Sequence, residues 1–340
     1  MNEFELIEQL TRSLPANKSV VTGAGDDCAV LDAGLPDRLL LFKTDAIVEG
    51  IHFKPDVQPE KIGHKALARC LSDIAAMAGT PTAGLVTLAL PPKFEPEFVG
   101  RIYAGLSALA RRHDVAIVGG ETTTNPERML ISIALLGFAS RGRCVLRSGA
   151  EAGDAIFVTG ELGGSMAGRH LEFEPRLAEA RWLAEHFSIH AMIDLSDGLA
   201  GDLRHVLKAS RVGAELLSTA IPISRPAREA SRSRPALRDE SADKTTAGAD
   251  LPPPQVSARK TALLAALTDG EDFELLFTVA GKDAVPLLDA WKEQFPKLAL
   301  TCIGKITANE GITIRDKEGA RPLTAHGYEH FATGFEKSDS

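Results

Sequence analysis

Several kinds of chemistry are missing from this chain. Its four cysteines, Cys28, Cys70, Cys144 and Cys302, stand far apart with no CxxC pair, which argues against a zinc site or a disulfide framework and predicts buried free thiols. Positive charge is scarce: 38 Lys and Arg against 46 Asp and Glu give a formal net charge of -8. With no basic stripe to neutralise a phosphate backbone, a nucleic-acid surface is not expected. A nucleotide is not excluded, because a metal ion in an acidic site inverts the local electrostatics. No apolar run reaches membrane-spanning length, and the stretch from Met1 to Leu10 lacks a basic region ahead of an apolar core. A cytoplasmic protein with no membrane contact is therefore expected. The glycine-rich turn Gly160-Glu161-Leu162-Gly163-Gly164 lacks the Gly-Lys-Ser/Thr ending of a Walker loop. The Asp194–Asp197 turn lacks the loop length and closing Glu of an EF-hand.

What the chain does have is acids placed on turns and at the ends of apolar runs. They occur as Gly25-Asp26-Asp27, Thr44-Asp45, Ser72-Asp73, Gly119-Gly120-Glu121, Asp194-Leu195-Ser196-Asp197 and Asp269-Gly270-Glu271-Asp272. Carboxylates delivered from separate loops to one point suit a hard cation, since Mg²⁺ binds through a few carboxylates plus water and substrate phosphates. Each also has a plainer reading. Asp197 could only cap the helix after it, and Asp73, amid Ala75, Ala76 and Met77, is either a metal ligand or a solvated helical Asp.

At 340 residues the chain exceeds the size at which one core keeps growing, so two domains are expected, 1–150 and 151–340. Apolar periodicity predicts helices over 3–14, 62–77, 95–112 and 199–209, with order returning over 261–267. Strands are predicted over 85–90, 115–118, 131–138, 155–159, 191–193 and 273–279, with a break at Gly79-Thr80-Pro81. This alternation indicates a mixed α/β class. Between about 225 and 260 the periodicity gives way to Ser, Arg, Pro, Ala and Asp, which predicts a flexible surface insertion.

Taken in order, the motifs resemble thiamine-monophosphate kinase. They are Gly-Asp-Asp at 25–27, Thr-Asp-Ala-Ile-Val-Glu-Gly-Ile-His-Phe at 44–53, Ser-Asp-Ile-Ala-Ala-Met at 72–77 and Arg-Ser-Gly-Ala at 147–150. Further on come Ile-Asp-Leu-Ser-Asp-Gly-Leu at 193–199, Asp-Gly-Glu-Asp-Phe-Glu-Leu-Leu-Phe at 269–277 and Gly-Tyr-Glu-His-Phe at 327–331. The resemblance implies the two-domain aminoimidazole-ribonucleotide synthetase-like fold, with an N-terminal mixed sheet that pairs in a homodimer and a C-terminal α/β domain. It implies transfer of a phosphoryl group from ATP to thiamine monophosphate, giving ADP and thiamine diphosphate, with several Mg²⁺ ions.

By residue, the resemblance implies metal or Mg-ATP contact for Asp26, Asp27, Thr44, Asp45, Asp73, Glu121, Asp194 and Asp197, with Asp45 and Asp197 central to catalysis. Gly119, Gly120, Arg147 and Ser196 would meet the nucleotide phosphates, and His52, Glu271 and Tyr328 the thiamine monophosphate. The chain departs from the family pattern at Glu121, where Asp is usual, and at Lys43, where a small residue is usual. Lys43 shares a strand face with Asp45, where its charge would compete with Mg²⁺ or bind a phosphate. Two alternatives stay open: another ATP-dependent activating enzyme of the superfamily, or a nucleotide-binding protein without turnover. The reactive Cys of selenophosphate synthetase and the C-terminal Cys of the hydrogenase-maturation relative are both absent here.

Overall fold

The computed structural model describes residues 3–232, 260–325 and 327–328. A short helix, α1 (Glu3–Thr11), precedes a sheet built from β1 (Val20–Thr22), β2 (Ala29–Leu31), β3 (Arg38–Val48), β4 (Thr80–Leu90), β5 (Ala116–Thr124) and β6 (Leu130–Ser140). Their order is β1-β2-β3-β6-β4-β5, with only β4 and β5 parallel among the pairs. Strand side chains alternate between faces, so Leu39, Leu41 and Ile47 of β3 turn inward with Ile131, Ile133 and Leu135 of β6. Against this inner face lies α2 (Pro59–Ala76), beside α3 (Pro96–Arg112). The even-numbered side chains of β3, Thr44 among them, turn to the other face.

α2 and α3 cross almost backbone to backbone. A Cβ at Gly63 would stand 1.9 Å from the Ile102 carbonyl oxygen, and one at Gly105 would stand 1.9 Å from that of Glu60. Gly63→Ala and Gly105→Ala are each expected to cost at least ~1–3 kcal/mol as overpacked contacts, read as a lower denaturant midpoint. An unchanged midpoint would contradict this packing.

A second sheet runs β13-β12-β9-β11-β7-β10-β8. Its strands are β7 (Ala155–Thr159), β8 (Ile189–Asp194), β9 (Gly213–Leu217), β10 (Leu275–Val279), β11 (Leu300–Thr307), β12 (Gly311–Asp316) and β13 (Gly319–Pro322), with helices α4 (Leu177–His186), α5 (Leu199–Ser210), α6 (Arg225–Arg232), α7 (Ala262–Thr268) and α8 (Ala284–Gln294). β7 and β10 are buried on both faces. Phe157 and Phe277 pack with residues of α4 and α8, whereas Ile156, Val158 and Leu276 pack with residues of α5 and α7. Burial on both sides explains why these strands read as unbroken apolar runs.

The mixed α/β fold matches the sequence-based expectation. The helix expected to end at Gly79-Thr80-Pro81 does end there, but β4 begins at once at Thr80 and not at residue 85. The Gly79 amide closes α2 on the Ile74 carbonyl (2.9 Å), and Pro81 sits beside a bulge in the β4–β6 ladder, where a strand tolerates a missing N–H. The stretch read as an insertion begins with an ordered helix. Just before α6 the Ser224 hydroxyl accepts a hydrogen bond from the Ala227 amide (3.2 Å) and donates to the Gly163 carbonyl, and Ala227 is buried. Residues 233–259 lie outside the described residues.

Candidate metal and phosphate site

Three elements deliver one carboxylate each to a single buried point. Asp27 comes from the loop between β1 and β2, Asp73 from the last turn of α2, and Asp194 from the end of β8. Their exposures are 2%, 7% and 3%, and one oxygen from each lies within 4.8 Å of the others. Such a cluster is stable only when cations or hydrogen bonds meet it. Arg147 NH2 lies 2.7 Å from Asp27 Oδ1, Lys43 Nζ 2.9 Å from Asp73 Oδ1, and the Ser72 hydroxyl donates to Asp194 Oδ2 (2.6 Å). Asp27 Oδ2 is buried and has no hydrogen-bond partner among the described residues.

The electrostatics record the same crowding. Burial, and then the charge of Asp27, pushes the Asp194 carboxyl up to about 7 and that of Asp26 to about 6. Burial drives Asp73 well above the usual carboxylate range, with Lys43 opposing and Asp194, Asp45 and Asp27 adding to it. The Lys43 ammonium loses from burial but stays charged because Asp73, Asp45 and Asp27 surround it. An unpartnered buried carboxylate oxygen, beside two carboxyls that resist ionisation, fits a site for a hard divalent cation.

The other acids singled out in the sequence are placed differently. Asp26 accepts hydrogen bonds from the amides of Arg147 (3.1 Å) and Asp27 (3.0 Å), fastening the 147–150 segment to the loop. Asp45 is gripped by Arg69, with Nε to Oδ2 at 2.7 Å and NH2 to Oδ1 at 3.3 Å. The Asp197 amide donates to the buried Asp202 carboxylate (3.0 Å), while its carbonyl accepts from the Tyr328 amide (2.9 Å). Thr44, Gly119, Gly120 and Glu121 are exposed and do not join the cluster. Thr44 meets Ser132 on the outward face (3.4 Å), and Glu121 accepts a bond from the Thr122 amide (2.9 Å). A Cβ at Gly120 would fall 1.8 Å from the Val86 carbonyl oxygen, so that glycine is required by the strand pairing itself.

Next to the cluster is a cavity of about 150 Å³ lined by His52, Arg69, Ser196, Asp197, Glu271 and Tyr328, together with Ile51, Met166 and Asp269. Glu271 is its anchor. Lys65 pairs with Oε2, Arg69 NH1 lies 3.3 Å from Oε1, and His170 Nδ1 lies 3.0 Å from Oε2. Burial opposes the Glu271 charge, but His170, Lys65 and Arg69 hold its carboxyl at about 2. His52 accepts a bond from the Val48 amide on Nδ1 (3.0 Å), and burial followed by the Arg69 charge lowers it to about 4. It is therefore neutral at pH 7.

Lys65, Arg69, His170 and Asp202 were not picked out from the sequence. One signal was available for two of them: Lys65, Arg69 and Asp73 stand four residues apart on an apolar helix and so share one face of α2. Lys65 is fully buried, and its ammonium also donates to the His52 carbonyl (2.7 Å). Lys65→Met strips a buried ion pair of one partner and is expected to destabilise the fold by ~3–5 kcal/mol. Chemical denaturation reads the loss; a change below ~1 kcal/mol would show that the pair is not desolvated.

The fold and its clustered carboxylates fall in a recognised class. Residues 25–139 match the family described as AIR synthase related protein, N-terminal domain. A thiamine-monophosphate kinase of Rhodopirellula baltica is 39% identical over 309 residues, covering 89% of this chain and 87% of the relative. That of Salmonella typhimurium is 36% identical, covering 97% and 98%. A solved structure described as AaThiL complexed with AMPPCP and TMP superposes with a TM-score of 0.74 at 29% identity, covering 97% of each chain. The chain belongs to the thiamine-monophosphate kinase family.

Proposed function

We propose that this chain phosphorylates thiamine monophosphate with ATP, giving ADP and thiamine diphosphate by direct in-line transfer. The observation that carries the reading is the buried Asp27–Asp73–Asp194 cluster, with its unpartnered Asp27 oxygen, beside the His52–Glu271–Tyr328 cavity. The family relation and the solved relative complexed with AMPPCP and TMP support the choice of substrates.

The acceptor is a phosphate monoester whose second pKa is ~6, so it is largely ionised at neutral pH and needs no general base. A neutral His52 suits that chemistry. The obstacle is bringing two polyanions together, so positioning and charge neutralisation dominate. Asp27, Asp73 and Asp194 would hold Mg²⁺, which supplies charge neutralisation between the two phosphates when bound. Asp197, its loop fixed by Asp202 and Tyr328, would complete that set from the cavity side. Arg69 fastens Asp45 of β3 to Glu271, joining the acidic strand to the cavity wall. Arg147 and Ser196 would meet the nucleotide phosphates, and Tyr328 would cover the thiamine ring. We place the enzyme in the cytoplasm, where ATP is abundant; no helix among the described residues is long and apolar enough to cross a membrane.

We also propose a homodimer formed through the β5 edge. Among the described strands, β5 pairs only with β4, and Val118 of β5 is 64% exposed, with Leu85 of β4 at 46%. An exposed edge of this kind invites a second strand, and pairing there would bring Glu121 of β5 into an interface. Light scattering at the mass of one chain would overturn that part.

The reaction is tested by incubating the protein with ATP, thiamine monophosphate and Mg²⁺ and separating thiamine diphosphate by chromatography, with a chelator control. Metal-dependent product supports the reading. A second reading, nucleotide binding without turnover, draws on Asp45 and Asp73 already being paired with Arg69 and Lys43. Mg-ATP binding without product would favour it.

A further inference from the structure

The carboxylate cluster contains a cation supplied by the chain. Lys43 projects from the inner face of β3 and sets its ammonium 2.9 Å from Asp73 Oδ1. Each acid of the cluster thereby has one oxygen engaged: Asp73 Oδ1 by Lys43, Asp27 Oδ1 by Arg147 and Asp194 Oδ2 by Ser72. The other oxygen of each makes no hydrogen bond among the described residues, and that of Asp27 is fully buried. One oxygen per carboxylate suffices to face a single divalent ion. A pair of ions ~3.5–4 Å apart, as in two-metal sites, needs carboxylates with both oxygens available.

An ammonium is a compact point charge with three donors and occupies a position beside a carboxylate much as a metal ion does. Unlike a metal ion it is tethered, so its occupancy does not depend on metal concentration. Resting on the metal-site reading above, we propose that the Lys43 ammonium takes the place of one divalent cation at Asp73. The native chain then binds one metal ion fewer in this cluster than a chain with an uncharged residue at position 43.

The test counts metal ions directly. Native protein, Lys43→Met and Lys43→Arg are titrated with Mn²⁺ in the absence of nucleotide, with bound ion read by electron paramagnetic resonance. Lys43→Met is expected to bind one more Mn²⁺ than the native chain, and Lys43→Arg, which keeps the charge, the same number as the native chain. In chelator, Lys43→Met is expected to melt at a lower temperature than the native chain, with Mn²⁺ closing the gap. If Lys43→Met does not fold without metal, it is prepared in Mn²⁺ and its metal content measured after gel filtration. Equal counts for native and Lys43→Met proteins, whatever their affinities, would overturn the proposal and leave the metal site standing. No Mn²⁺ bound by any of the three would overturn the metal site as well.

Discussion

Asp194→Asn is expected to lower kcat by on the order of 10³-fold, the scale of losing one preorganised electrostatic element of a transition state, while making the metal-free protein more stable at pH 8. The two effects share a cause. Asp194 is buried beside Asp27 and has its carboxyl pushed up to about 7, so its ionised form is a liability to the fold until a cation meets it. Asn keeps an oxygen to accept the Ser72 hydroxyl, bonded at 2.6 Å in the native chain, and removes the charge. Activity and chelated-state melting temperature, measured on one preparation, check the pair. A variant that loses activity through lost stability would show Asp194 to be a packing residue.

The contribution of the buried acids Asp26 and Asp194 to the stability of the metal-free protein is expected to be lost as pH rises from about 4 to 8, and saturating Mg²⁺ to restore it. Asp26 and Asp194 have folded-state values near 6 and 7, above the ~3.9 of an unfolded Asp. Within that window the native state holds more protons at these two acids than the unfolded state, so their contribution to the free energy of unfolding falls as pH increases, while His52, lowered to about 4, works the other way up to about 6.5. Below ~4 both states are protonated and this contribution is flat. Metal binding selects the ionised cluster, and an ion at 100 times its dissociation constant adds ~2.7 kcal/mol. Thermal melts at pH 5 and 8, with chelator and with Mg²⁺, read the interaction of the two variables. Equal Mg²⁺ stabilisation at both pH values would contradict a cluster that must deprotonate to bind.

The parts of this molecule legible in its sequence are those where a polar residue interrupts a strong apolar pattern. Asp73 stands in the apolar stripe of α2, and Asp194 follows the buried run of β8; the three-dimensional cluster contains both. β9, β11 and β12 were not foreseen, because residues such as Thr301, Cys302 and Lys305 in β11 mix polar and apolar positions without clean alternation. The partners of the acids were harder still. That Arg69 grips Asp45 and Lys43 meets Asp73 depends on β3 lying across α2, a tertiary fact that local spacing does not contain. Thr44 is the opposite case: the two-residue period of a strand already sets it on the face opposite Asp45, where the structure places it exposed beside Ser132.

Direct transfer from ATP to thiamine monophosphate is tested most simply with ATP labelled with ³²P at the γ-position. The purified protein, thiamine monophosphate and Mg²⁺ should move the label into thiamine diphosphate, in step with ADP formation and not in the presence of chelator. Label appearing only as inorganic phosphate, or remaining in ATP while the nucleotide is bound, would contradict the proposed reaction.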